Sequence, residues 1–364
     1  MASDKVGDRA GRRVRLQDVA DAAGVSLAQA SGALSGYRDV NEATRQRVRD
    51  VADRLGYAPS AHARLLGSRG RASTRCAIVM SGASDPASAV QSYRIGTFLS
   101  GMLDGALLRA AELGLDIRLI RVTDEEIATG SAFRTLLARD GADAVVVQTF
   151  TDLLPEHIEP LRKAGLPFVL LNRHFDGDPD VDAVVADVRA GITDAVSRLV
   201  SRGHHELRLV VGEQETSVVR DYCRGWEEAT KKHGVSATSG ILRYDHSDVS
   251  PRIARARELL PSEGSRPTAI VAVDDLAAYD LLRRAEELGL SIPGDLEIIT
   301  FQSTIAPFTS PPMSAYDLHL EEMGAAAIDK VAAALGLGHS LKGGHLRYFA
   351  PAFLPRRSTG DAIS

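Results

Sequence analysis

Residues 16–36, LQDVADAAGVSLAQASGALSG, constrain this chain more than any other stretch. Leu16, Val19, Ala20 and Ala23 recur at helical spacing and mark one apolar face of a short helix. Gly24 breaks that helix, and Val25 is the apolar residue that plugs the corner. Ser26 with Gln29 three residues on is a capping-box pattern for a second helix, Leu27 to Leu34, with Ala30 and Leu34 turned inward. Two short helices about a glycine turn form the helix-turn-helix pattern, whose second helix enters a DNA major groove by its N-terminal end. A plain αα-hairpin shares this outline, but the sequence that follows favours the DNA-reading form.

Charge is divided unevenly along the chain. Residues 1–75 hold 14 Lys+Arg against 8 Asp+Glu, a net +6, whereas the remainder carries −11. A basic head on an acidic body implies that only the head meets a polyanion. With 364 residues and 44% hydrophobic composition, the chain is large enough for two or three domains. The start, MASDKVGDRAGRR, has no apolar h-region, and no run of 18 apolar residues occurs, so neither a secretory signal nor a membrane span is expected. Cys76 and Cys223 are far apart and suggest neither a disulfide framework nor a zinc site. Together these features predict a cytoplasmic protein.

In chain order, residues 1–14 read as a disordered tail, 15–59 as the helical head, 60–75 as a short helix and linker, and 76–364 as a larger core. Asn41 is the expected N-cap of a third helix, with Val48, Val51, Ala52 and Leu55 inward and Arg45, Arg47 and Arg49 wet. From Arg54 to Arg75 there are five Arg and no acid, in a segment too short to be helical without a partner. Beyond Cys76, strand-like runs at 77–80, 117–120, 144–148, 168–171, 183–186, 207–211, 269–273 and 297–301 alternate with helical stretches, notably 98–113, 191–201, 225–233 and 275–288. Such alternation predicts α/β architecture with two doubly wound parallel sheets, whose ligands bind past the carboxyl ends of the strands.

The motif residues Asp18-Val19-Ala20, Ala23-Gly24-Val25-Ser26, Thr44-Arg45, Leu55-Gly56-Tyr57, Pro59 and Ala63-Arg64-x-Leu66 resemble the head of the lactose-repressor (LacI/GalR) family of bacterial transcription regulators. The likeness continues through Ala186-Asp187, Gly203-His204, Gly225-Trp226, Ile292-Pro293 and Pro311-Pro312-Met313. It implies a two-lobed, periplasmic-binding-protein-like core that dimerises and takes a small-molecule effector in the cleft between lobes. It also implies a repressor reading a pseudo-palindromic operator as a homodimer or tetramer, with no cofactor, no metal and no catalysis. On this likeness the DNA-binding set is Ser26, Leu27, Ala28, Gln29, Ser31, Gly32, Asn41, Tyr57, Arg64 and Leu66. Residues 61–66 become a hinge helix, and Leu66 a wedge between base pairs in the minor groove.

Several positions depart from the family. Gly32 replaces the Arg that reads guanine, and Leu27 and Ala28 can offer apolar contact to a thymine methyl, while Gln29 is left to pair with adenine or reach a phosphate. The effector set implied by position is Arg94, Ile95, Arg173, Tyr222, Asp274 and Gln302, with Arg220 and Arg224 off-register. An aromatic pair and an Arg are missing from it, which puts a simple sugar in doubt and suits an acidic or aromatic ligand; a degenerate or solvent-facing cleft is the competing reading. A core that docks a protein instead of a metabolite and a solute-binding protein of transport are the rival functions. An enzyme ranks last: no P-loop occurs, residues 338–342 lack the second Gly of a nucleophile elbow, and His204-His205 and Asp274-Asp275 read as surface histidines and a helix N-terminus.

Overall fold

A computed structural model describes residues 14–35, 40–55, 57, 74–81, 89–139, 141–178, 180–235, 240–244, 249–337 and 345–360. The tail and the hinge segment, with Arg64 and Leu66, lie outside the described residues.

The head has three helices, α1 (Leu16–Ala23), α2 (Leu27–Ser35) and α3 (Glu42–Leu55). Gly24 stops α1 in the left-handed conformation at φ 65°. Asn41 caps α3, its Oδ1 accepting from the Thr44 N–H at 2.8 Å. Val19, Ala20 and Ala23 of α1 pack on Ala30 and Ala33 of α2 and on Val48, Val51 and Ala52 of α3, with Val25, Leu34 and Tyr57 around them. Short alanine side chains let three small helices close over so little apolar surface. Two expectations change here. Leu55 is 37% exposed rather than inward, because it lies on the last turn of α3. Arg45 is half-buried, its guanidinium donating to the Val40 carbonyl at 3.4 Å.

The core is α/β, with two six-stranded sheets. In the first lobe β1 (Thr74–Ser81), β2 (Leu115–Val122), β3 (Ala144–Gln148), β4 (Phe168–Leu171), β5 (Ala183–Ala186) and β11 (Leu346–Phe349) run in the order β11-β5-β4-β3-β1-β2, all parallel. In the second lobe β6 (Leu207–Gly212), β7 (Ile241–Tyr244), β8 (Ala269–Ala272), β9 (Glu297–Thr300), β10 (Ser314–Asp317) and β12 (Ala352–Leu354) run β12-β10-β9-β8-β6-β7, with β12 antiparallel at the edge. The central strands are buried on both faces, which is why they are unbroken Val/Ile/Leu/Ala runs.

The chain passes between lobes three times, after Ala186, after Asp317 and after Phe349. The last long helix, Leu320–Leu335, returns to the first lobe and crosses the helix Ala89–Glu112 at backbone contact. A β-carbon on Gly105 would lie 1.9 Å from the Glu321 carbonyl oxygen, and one on Gly324 1.9 Å from that of Met102. Neither helix can give way without losing its own packing. Gly105→Ala or Gly324→Ala therefore lowers stability by about 3 kcal/mol in denaturant unfolding. Gly24→Ala in the open turn of the head lowers it by about 1–2 kcal/mol, set by φ alone.

Candidate functional site

On the head, the first turn of α2 is the exposed surface. Ser26 Oγ accepts from the Gln29 N–H at 3.1 Å, and Gln29 Oε1 in return accepts from the Ser26 N–H at 3.1 Å and from its hydroxyl at 3.2 Å. The expected capping box is therefore formed, and it alters the role read for Gln29. Bidentate pairing with adenine needs both amide atoms, and one is already committed. Leu27, 46% exposed, and Ala28 beside it face outward. Ser31 is half-buried. Gly32 is buried and has no side chain to offer to a groove. Asn41 holds its cap and Tyr57 is half-buried on the core, its N–H on the Ala52 carbonyl at 2.9 Å. Arg15, Arg47, Arg49 and Arg54 stand exposed around the head.

Between the lobes, the loop after β4 meets the helix Ser217–His233 of the second lobe. Ser217, Arg220, Asp221 and Arg224 recur at i, i+3, i+4 and i+7, so one helical face carries all four. His174 Nε2 lies 2.7 Å from Asp221 Oδ2, and the His174 N–H donates to Ser217 Oγ at 3.2 Å. Arg220 donates to Asp152 at 3.2 Å and Arg224 to Asp176 at 3.0 Å. Hydrogen bonds from Arg224 hold the Asp176 carboxyl below the usual range. The lobes thus meet here through charge.

Behind this contact, polar residues stand at the carboxyl ends of β3 and β4. Asn172 adopts φ 54°, a left-handed conformation uncommon outside glycine, and turns the chain off the strand. Arg173 beside it is buried, its Nη1 on the Asn172 carbonyl at 2.5 Å. Burial drives its guanidinium down to about 10; Asp152 opposes and Arg220 adds to that effect. Gln148 Oε1, Asn172 Oδ1, Arg173 Nε and Asp152 Oδ1 are buried with no hydrogen-bond partner among the described residues.

Across the cleft, Tyr222 packs edge-on against Phe301 with ring centroids 5.1 Å apart. Burial, then the nearby Asp274, raises its hydroxyl well above the ordinary value. Asp274 caps the helix Asp275–Glu287, accepting from Leu276 and Ala277 N–H through Oδ1, so this oxygen has a structural task. Asp275 is pushed to about 6 by burial while it accepts from the Ile305 N–H at 2.8 Å. Gln302 is half-buried just past β9. Arg94 and Ile95 lie on the helix Ala89–Glu112, and their side chains are outside the described set. His204 lies 2.9 Å from Thr268 Oγ1 and 3.4 Å from Glu297, both away from the cleft.

Of the residues expected from the sequence, Arg173, Tyr222 and Asp274 lie in this region, where the structure also places Gln148, Asp152, Asn172, His174 and Asp221, and Arg220, which the sequence left off-register. The available signal was a polar residue closing an unbroken apolar strand, as Gln148 and Asn172 do.

Comparison with known proteins agrees with this architecture. Residues 15–60 match the model of bacterial regulatory proteins of the lacI family, and residues 196–359 match a periplasmic binding protein-like domain. The transcriptional regulator DegA of Bacillus subtilis is 26% identical over 316 residues, covering 86% of this chain and 89% of its own length. Catabolite control protein A of Priestia megaterium is 26% identical over 318 residues, covering 86% and 90%. Among solved structures, a CelR–cellobiose complex has TM-score 0.66 and 24% identity over 95% of this chain and all of that one. The lac repressor dimer bound to operator and the anti-inducer ONPF has TM-score 0.66 and 21% identity, covering 96% and 99%.

Removing both carboxylates from His174 by Asp176→Asn with Asp221→Asn is expected to part the lobes. The radius of gyration from small-angle X-ray scattering then rises relative to wild type, and raising salt moves wild type in the same direction.

Proposed function

Because this chain belongs to the lacI family of bacterial regulatory proteins, we propose that it is a DNA-binding transcriptional repressor controlled by a small-molecule effector in the interlobe cleft. Two heads of a homodimer read a pseudo-palindromic operator. The carrying observation is the head itself: a self-capped α2 with its first turn exposed, on a head that also exposes Arg15, Arg47, Arg49 and Arg54, joined to a body that is net acidic. Effector binding shifts the lobes, and the shift changes the geometry in which the heads are offered to DNA. Relatives are regulators rather than enzymes, and among the described residues no helix is long and apolar enough to cross a membrane. The setting that fits is the cytoplasm, where the operator lies.

Fluorescence anisotropy with genomic fragments tests this reading. A preferred palindrome is expected, with affinity falling about a thousandfold or more between about 50 and 200 mM salt. Equal binding to every fragment contradicts it.

Leu27 and Ala28 support readout of thymine methyl groups, since Gln29 Oε1 serves the cap. Replacing operator thymines by deoxyuridine, one at a time, is expected to cost about 1 kcal/mol at the contacted position. Leu27→Ala reduces that difference while leaving the salt slope unchanged.

A further inference from the structure

Arg173 stands just past the carboxyl end of β4. Its guanidinium is buried, its Nε has no hydrogen-bond partner, and its Nη1 reaches only the carbonyl of the preceding residue. No carboxylate pairs with it among the described residues. Of the charged neighbours that act on it, Asp152 attracts it but is bonded to Arg220, which repels it, so burial outweighs what compensation remains. A buried arginine is costly without a counter-charge, and its planar fork suits a carboxylate or phosphate.

The adjoining groups have the opposite need. Gln148 Oε1 and Asn172 Oδ1, at the ends of neighbouring strands, are buried acceptors with no donor. Asp152 Oδ1 is a third. Each unmatched buried polar atom is unfavourable until a donor arrives. The left-handed Asn172 holds this set at the strand end, where ligands of open α/β sheets bind.

A neutral sugar supplies donors but leaves the guanidinium uncompensated, and a cationic ligand repels it. We infer that the effector is an acid bearing hydroxyl groups, its carboxylate or phosphate on Arg173 and its hydroxyls on Gln148 and Asn172. This rests on the reading of the cleft as an effector site and names the ligand class for it.

The test is thermal unfolding of the full-length protein with matched sets of hexoses, hexuronates, aldonates and hexose phosphates at millimolar concentration, followed by calorimetric titration of the most stabilising compounds. Acidic members are expected to stabilise the protein and neutral hexoses not to do so. The uronate and aldonate arms against the phosphate arm identify the anion. Arg173→Gln weakens the acid at least tenfold, and Arg173→Lys recovers part of the loss. Stabilisation by neutral hexoses equal to that by the acids, no stabilisation by any acid, or acid binding unchanged in Arg173→Gln overturns the inference. The wild-type panel decides the matter even if a variant fails to fold. Operator binding is measured on the same wild-type preparation: its failure counts against the repressor, whereas its success without acid binding counts against this ligand class alone.

Discussion

The structure depends on a charged contact between two lobes that the chain threads three times. The loop following β4 and one face of the helix Ser217–His233 are held by His174–Asp221, Asp152–Arg220 and Asp176–Arg224. An apolar seam there would close permanently, since buried apolar surface has no inexpensive open state. Paired charges near the surface are worth little net because water competes for each partner. A joint made this way stays within reach of a ligand's binding energy, which a population shift requires.

The rest of the body is rigid by comparison. The crossing at Gly105 and Gly324 brings two helices of the first lobe to backbone contact, and Phe301 stacks on Tyr316 at 4.6 Å in the second. One apolar cluster runs from the first lobe into the second, and the joint is charged only where the loop after β4 meets the helix Ser217–His233. The head keeps to small alanines and local caps, so its reading surface is formed before DNA is met. That surface exposes Leu27 and Ala28 in the first turn of α2, the two residues on which the proposed thymine readout rests.

Much of this was legible in the sequence. Strands β3, β4 and β5 fall at 144–148, 168–171 and 183–186 as predicted, because doubly buried strands are unbroken apolar runs. The head is legible through its caps, where Ser26–Gln29 and Asn41–Thr44 bond as expected. The helix expected from Gly225 begins at Ser217 instead. Its first two turns carry an apolar stripe, Val218, Val219, Tyr222 and Cys223, but Arg220, Asp221 and Arg224 interleave with it and obscure where the helix starts. Strands β7, β10, β11 and β12 escaped because each is only three or four residues long, and β7, β11 and β12 are also partly exposed edges. The cleft is the least legible part: Asn172 reads as a turn residue and Gln148 as a strand end until the fold sets them beside Arg173.

The central claim is that the cleft and the head are coupled, and such coupling must be reciprocal. The direct measurement is the interlobe distance distribution, by pulsed electron spin resonance with one label on each lobe, before and after operator DNA is added without effector. The account predicts that operator alone shifts the populations of the lobe separations. A distribution that is identical with and without operator would contradict it.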